Sequence, residues 1–332
     1  MSLDPESRSK LGRREFLTIG TGMFVGLSLP FAFRRRIAIT RRTIPVMGTI
    51  AEIQVAHGDV HRAEAAIDAA IAELRWVERT MTRFTATSDI GRANLAAARD
   101  AVPVTPETAH VVRRALDWAS ASDGRFDPAS GRISELWNVL HRHEPPPESA
   151  VKPLAGRSFW RKVDVGTLRG QPVLRYHDPD IHLDLGGIAK GYGIDRAVDA
   201  LRQRHIAHAI VTVGGDLYAL GNAPDGAPWM VGIRDPDDVS AIRRTLHIAD
   251  RAVTTSGDYE RFFRWRGVRY DHLMDPATAA PRRTSVHSNT VIGGDRTIDA
   301  DAASTSGFGL SLAAATTLAR RMIPGAEAIP LT

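Results

Sequence analysis

The 332-residue chain contains no cysteine. That absence excludes disulfides, thiolate metal centres, a cysteine nucleophile and a lipid-modified cysteine anchor. No repeat of fixed period is present, which excludes solenoids and propellers. A nucleic-acid footprint needs a basic face interleaved with aromatic or polar base readers. Much of the positive excess behind the net charge of +5 sits near the N-terminus, in Arg13, Arg14, Arg34, Arg35, Arg36, Arg41 and Arg42. Nucleic acid is therefore not expected as a partner. With 43% hydrophobic and 24% charged residues, the chain can bury one large core or two modest ones.

The N-terminus reads as targeting information. In "SKLGRREFLTIG", Arg13 and Arg14 precede Phe16 and Leu17, and an apolar stretch runs on to Phe33. Twin arginines ahead of an apolar stretch are the pattern of a Tat export signal. A single membrane anchor with basic flanks is the other reading, because the stretch is about as short as a span can be. No Ala-x-Ala cleavage site precedes Arg34. The expected organisation is a signal or anchor over residues 1–33 and a basic linker over 34–45. A single domain over 46–323 and a tail over 324–332 follow.

Beyond the linker, "MGTIAEIQV" (Met47–Val55) alternates like a strand. His61–Met81 places Ala65, Ile67, Ile71, Leu74, Val77 and Met81 at helical spacing. Thr105 followed by Pro106 marks another helix start, and Gly124 closes that helix. The proline-rich "HEPPPES" reads as a surface loop. In the second half, "PVLRYH" and "IHLDLG" flank Asp178–Pro179 as a hairpin would, and "HAIVTVGGDLYALG" reads as strand, turn and strand. Further short strands follow, and a closing helix is expected from about Asp301 to Met322. Helices and strands come in blocks, so the fold class is α+β with largely antiparallel sheets.

Five stretches carry more Gly, Asp, Ser, Thr and His than a scaffold requires: "GRFDP", "DLGGIAKG", "VGGDLYALG", "TTSGDYERF" with "YDHLMDP", and "DADAAST". Each alone reads equally well as a turn, a hairpin or a helix start. Together they suggest chemistry. Asp301 and Thr305 lie four apart, on one face of a helix, and offer hard oxygen ligands suited to Mg²⁺ rather than zinc. "DLGGIAKG" places Lys190 beside a glycine bend and a helix start, where a pyrophosphate could lie against Gly186–Gly191.

These motifs, with "MGT" and "FDP", resemble in order the ApbE family of FAD:protein FMN transferases, from about Met47 to the final helix. The resemblance implies an ApbE-like α+β fold and a periplasmic location, or one at the outer face of the cytoplasmic membrane. It implies that FAD is the substrate and Mg²⁺ the cofactor. FMN would pass to a threonine or serine hydroxyl of an acceptor flavoprotein, with release of AMP. The partners expected are that acceptor and the Tat machinery, with transient or anchored membrane association through the N-terminus.

Carried over by motif, Met47 and Phe84 would line the FAD site, and Arg125, Phe126 and Asp127 would contact the cofactor. Asp184 and Lys190 would bind FAD at the glycine bend, and Leu273 would lie against the flavin nucleotide. The Gly187 carbonyl, Asp301 and Thr305 would hold Mg²⁺. His272 would take the proton of the target hydroxyl, its ordinary pKa being near neutral; a histidine at a strand edge is the alternative. The chain departs from the family pattern at Ala279, where glycine is usual, at Ala303 with the glycine-bearing run after it, and at "SDIGRAN". An FAD pyrophosphatase and a non-catalytic periplasmic flavin-binding protein remain as alternative functions.

Overall fold

The structure is a computed structural model that describes residues 38–238 and 240–332. The export signal expected at residues 1–33 lies outside the described residues. Strands β1 (Ile39–Val46) and β2 (Thr49–Ala56) precede α1 (Val60–Met81), α2 (Asp89–Ala96), β3 (Val102–Pro103) and α3 (Pro106–Ala121). The short α4 (Gly131–Trp137) and α5 (Glu148–Val151) lead to β4 (Val163–Leu168), β5 (Gln171–Tyr176) and α6 (Ala189–Gln203). Strands β6 (Ala209–Val213), β7 (Asp216–Leu220), β8 (Trp229–Arg234), β9 (Ile242–Ile248) and β10 (Arg251–Gly257) follow. The chain closes through β11 (Phe262–Trp265), β12 (Val268–Asp271), β13 (Met274–Asp275), β14 (Ala280–Pro281) and β15 (Ser288–Ile292), then α7 (Thr297–Gly307), α8 (Leu312–Arg320) and β16 (Glu327–Leu331).

A seven-stranded sheet in the order β1-β2-β6-β7-β10-β15-β16 is the frame, and each of its neighbouring pairs is antiparallel. Alternation along its strands splits the apolar residues between two cores. Val211, Val213, Tyr218, Ala252 and Val291 pack with α1, α6 and α7 on one face. Ile210, Leu217, Ala219, Val253 and Ile292 pack on the other against Trp229, Val231, Leu246 and Ile248 of the β8–β9 hairpin.

Local signals account for the helices that flank the site. Asp59 caps α1 by accepting from the Arg62 N–H, and Ala63, Ala66, Ile67, Ala70, Ile71, Leu74 and Val77 form its buried stripe. Thr105 caps α3 in the same way, with Pro106 at the first position. Helix α7 has no solvent face over most of its length. Ala300, Asp301, Ala302, Ala303, Ser304, Ser306 and Gly307 are all buried. Only small side chains fit there, which explains the composition of "DADAASTSG" and the presence of Ala303.

Several expectations are corrected. The segments "PVLRYH" and "IHLDLG" do not form a hairpin. Strand β5 turns back instead on β4, through Arg169 (φ 51°) and Gly170 (φ 81°), and its other edge pairs with β3. The Asp178 carboxylate is held by Arg157 at 2.5 Å and Lys162 at 2.8 Å, so the chain leaves the sheet there. The segment after it runs beside the start of α4, where the Gly131 N–H donates to the His182 carbonyl. The closing helix is two helices. The first ends at Gly307, the chain turns through Gly309 (φ 81°), and Ser311 caps the second helix. The expected tail contains β16, an edge strand of the main sheet, and most of β1 lies in the expected linker. The arginines of "ITRRTIPV" mask its alternation.

Helices α6 and α7 cross at Gly191, where an added β-carbon would collide with the Thr297 carbonyl. In a free helix Gly→Ala is stabilising by roughly 0.5–1 kcal/mol. Here Gly191→Ala is expected to destabilise, by about 1–3 kcal/mol, as overpacking does. A thermal melt showing a raised Tm would contradict the close crossing.

Candidate functional site

The site is built around one lysine. Lys190 stands in the first turn of α6, and its Nζ lies 2.6 Å from Asp216 Oδ2 and 3.1 Å from Asp301 Oδ1. Both carboxylates are buried, each side chain only 1% exposed. Asp216 opens β7 directly after the Gly214–Gly215 turn, whose φ values of 57° and 92° suit glycine. Its other oxygen accepts the Thr255 N–H from β10 at 2.9 Å. Asp301 projects from α7, and its Oδ2 accepts the Gly191 N–H at 2.9 Å. Three stretches far apart in sequence therefore meet on one ammonium group.

Burial pushes the Lys190 pKa down, but the charges of Asp216 and Asp301 outweigh it and hold the ammonium well above the ordinary lysine range. Burial pushes the Asp216 carboxyl up, with Lys190 pulling it back and Asp301 adding to the rise. Both acids share one lysine, and their carboxylate oxygens are the hard donors nearest the glycine bend.

Beside this cluster lies the glycine bend. A β-carbon on Gly187 would sit 3.1 Å from Thr305 Oγ1 and 3.0 Å from the Phe126 ring. Thr305 Oγ1 is also 3.2 Å from Ser256 Oγ, which lies 2.9 Å from Ser304 Oγ. Gly187, Asp301 and Thr305, the expected metal ligands, thus line one region. All offer oxygen, and a carboxylate bonded once at each oxygen keeps lone pairs for a metal. The set suits a hard cation that draws its remaining ligands from a substrate. Among the described residues no three acidic or histidine side chains form a metal cluster of their own. The Gly191 N–H, expected to face phosphate, is instead committed to Asp301.

The other expected residues make contacts of their own. Asp184 accepts the Gly186 N–H at 2.9 Å and pairs with Arg83 at 3.0 Å. The Arg83 guanidinium covers the ring of Phe84, which is 80% exposed. Arg125 donates to the Ser306 and Phe308 carbonyls at 3.2 and 3.0 Å, and Arg282 to those of Thr305 and Phe308 at 2.9 and 3.0 Å. Two guanidinium groups therefore cap the C-terminus of α7, where the dipole favours cations. Asp127 builds a turn by accepting the Ala129 and Trp160 N–H groups, and burial pushes its carboxyl up to about 6. Met47, in the β1–β2 turn, donates its N–H to Glu78 at 2.6 Å, and its sulfur packs over Gly193 of α6.

His272 and Leu273 follow β12. Leu273 is buried, its N–H donates to Asp271 and its carbonyl accepts the Arg282 N–H, which links it to the α7 cap. The His272 ring is half-buried, and its Nδ1 is shut off from solvent without a hydrogen-bond partner. Burial, then the positive charges of Arg261 and Lys190, push its pKa down to about 3. The ring is therefore neutral at physiological pH and, with the site as it stands, a weak base.

Asp216, Ser256, Ser304 and Arg282 carry parts of this arrangement that the sequence reading did not assign. An acid directly after Gly-Gly was the available signal for Asp216. Nothing in the sequence marks Arg282. At Ala279, where glycine is usual, φ is 52°, and the carbonyl accepts the Trp137 indole N–H at 2.7 Å. That bond holds an alanine in a backbone region glycine prefers.

The α+β scaffold thus carries a lysine-bridged pair of acids beside a glycine bend. Comparison with known proteins gives its family. The ApbE family model matches residues 47–330. An FAD:protein FMN transferase of Treponema pallidum is 32% identical over 310 residues, covering 89% of this chain and 85% of that protein. One from Vibrio cholerae is 30% identical over 253 residues, 75% of each chain. The crystal structure of an ApbE protein from Thermotoga maritima superposes with a TM-score of 0.80 at 28% identity, covering 88% of this chain and 94% of that one. The apo flavinyl transferase ApbE of Pseudomonas stutzeri gives 0.75 at 25% identity, covering 89% and 91%. The chain belongs to the ApbE family, and its fold is ApbE-like.

The depressed pKa of His272 has a consequence for stability. A histidine whose folded pKa falls from 6.5 to about 3 stabilises the fold fully above pH 6.5, and that contribution is lost as pH falls toward 3. His272→Asn removes the titration. Melting temperatures of the wild type and the variant should converge, or cross in favour of the variant, between pH 7 and pH 4. A constant difference across that window would show that the ring is not held neutral.

Proposed function

We propose that the protein transfers the FMN portion of FAD onto a threonine or serine hydroxyl of an acceptor flavoprotein and releases AMP. The observation that carries this reading is the meeting of "DLGGIAKG", "VGGD" and "DADAAST" at Lys190, within a family whose named members are FAD:protein FMN transferases. The acceptor oxygen bonds to the FMN phosphorus. The bond from that phosphorus to the bridging oxygen breaks, its electron pair stays with the AMP phosphate, and the hydroxyl proton goes to a base. Such a transfer depends on positioning and charge neutralisation more than on covalent help.

His272 is the base in this reading. Its neutral ring and unpartnered Nδ1 support the role, and an anionic pyrophosphate nearby would raise its low pKa toward a useful value. Gly187 brings its backbone close to Thr305, where a side chain would be crowded, and Asp301 and Thr305 with the Gly187 carbonyl would hold Mg²⁺. When bound, that ion supplies charge neutralisation at the pyrophosphate. Lys190 keeps Asp301 in place and adds its own charge. Arg125 and Arg282 fix the end of α7 and hence Thr305. Met47, Phe84, Asp184 and Leu273 would surround the flavin and adenosine parts of the substrate. Arg13 and Arg14 ahead of the apolar stretch support Tat export to the periplasm.

Asp301→Asn tests the metal assignment while keeping side-chain size. The wild type should bind FAD more tightly with Mg²⁺ present and place covalent flavin on an acceptor. In the variant the Mg²⁺-dependent gain in FAD affinity should vanish and transfer should fall by a hundred-fold or more, in line with loss of a transition-state electrostatic contact. Titration of FAD with and without Mg²⁺, beside in-gel flavin fluorescence, reads both. Wild-type Mg²⁺ dependence in the variant would overturn the assignment.

A further inference from the structure

The β11–β12 hairpin carries a feature that FAD and metal binding leave unused. Over residues 261–270 it reads "RFFRWRGVRY". Its inner face is anchored: Phe263 stacks on Tyr270 at 5.1 Å, and Tyr270 on Trp137 at 5.5 Å. Its outer face is not. Phe262 is 37% exposed, Arg264 and Arg266 are exposed, and so is Arg283, which lies beyond the hairpin and covers its edge. The guanidinium groups of Arg264 and Arg269 lie over the Phe262 ring at 5.7 and 5.3 Å. Arg266 covers Trp265 at 4.2 Å and Arg283 covers Tyr270 at 4.5 Å.

Charge on this surface is unbalanced. Asp258 pairs with Arg269 at 2.6 Å. Among the described residues no carboxylate pairs with Arg264, Arg266 or Arg283. Arg264 and Arg269 are direct cross-strand partners, an arrangement that like charges disfavour. A groove of about 400 Å³ lined by Arg142, His143, Glu144 and Trp265 flanks the hairpin. Its base reaches the candidate site: Arg261 Nη2 donates to the Gly48 carbonyl, and β12 ends one residue before His272.

We propose that the outer face of this hairpin docks an acidic segment of the acceptor polypeptide. The proposal rests on the transferase reading, which requires a protein partner next to His272. Planar guanidinium groups bind carboxylates bidentately, and stacking on aromatic rings holds them extended toward a partner. A membrane surface fits the geometry less well. The hairpin tip is Arg266–Gly267, and the ring of Trp265 beside it lies beneath the Arg266 guanidinium rather than open to a bilayer.

The test uses the full chain and a fluorescein-labelled oligoglutamate peptide, read by anisotropy at low and high salt. Wild type should bind it, with affinity falling as salt rises. The double variant Arg264→Glu/Arg266→Glu should lose on the order of ten-fold or more in affinity, with FAD affinity unchanged. Arg264→Gln/Arg266→Gln, with a melting curve beside it, guards against a folding defect and should show an intermediate loss. Absent binding, or equal peptide affinity in wild type and both variants, would overturn the proposal. So would stronger binding to phosphatidylglycerol vesicles than to the peptide, lost in the reversal, because that assigns the surface to a membrane. Failure of the wild type to bind FAD would strike the transferase reading instead, and the peptide measurement would still decide the charge of the hairpin's ligand.

Discussion

Lys190 is the interaction on which the rest of the site depends. One ammonium group joins the first turn of α6, the start of β7 and the middle of α7. Removing one member of such a buried group leaves an uncompensated charge and costs about 3–5 kcal/mol, far more than the pair contributes over an apolar replacement. The arrangement is therefore a device for placement. It aims one carboxylate toward the glycine bend and keeps the other against β10.

Close approach of backbones makes that placement possible. Gly191 lets α6 and α7 cross on the Thr297 carbonyl, and Asp195 of α6 caps α7 by accepting the Thr297 and Ile298 N–H groups at 2.6 and 3.1 Å. Burial pushes that carboxyl up to about 7, with the two N–H groups opposing the rise. At the other end, Arg125 and Arg282 hold the last carbonyls. Helix α7 is thus fixed at both termini by side chains from other elements, and the spacing of Asp301 and Thr305 along it is transmitted without slack to the site.

Much of this was legible in the sequence, for physical reasons that differ by residue. The Gly-Gly turn of "VTVGGDLYALG" and the stripe of α1 are local signals, and local signals suffice where a turn or an amphipathic face decides the structure. The Asp301–Thr305 spacing was legible because helical periodicity puts the pair on one face. The partner of β5 was not, since the choice between β4 and the chain after Asp178 depends on ion pairs with Arg157 and Lys162. Strand β16 was missed because a short edge strand carries little pattern of its own. The roles of Asp216 and Arg282 arise only when distant segments meet. Lys190 was read as a free charge facing phosphate, and the structure shows that charge already shared between two acids.

The claim that Lys190 and Asp216 act as one unit is tested most directly by a double-mutant cycle. Unfolding free energies of the wild type, Lys190→Met, Asp216→Asn and the double variant would be measured by chemical denaturation. The account predicts a coupling energy at the upper part of the range for residues in contact, about 2–3 kcal/mol, with the double variant less destabilised than the sum of the singles. Additivity within about 0.5 kcal/mol would contradict it.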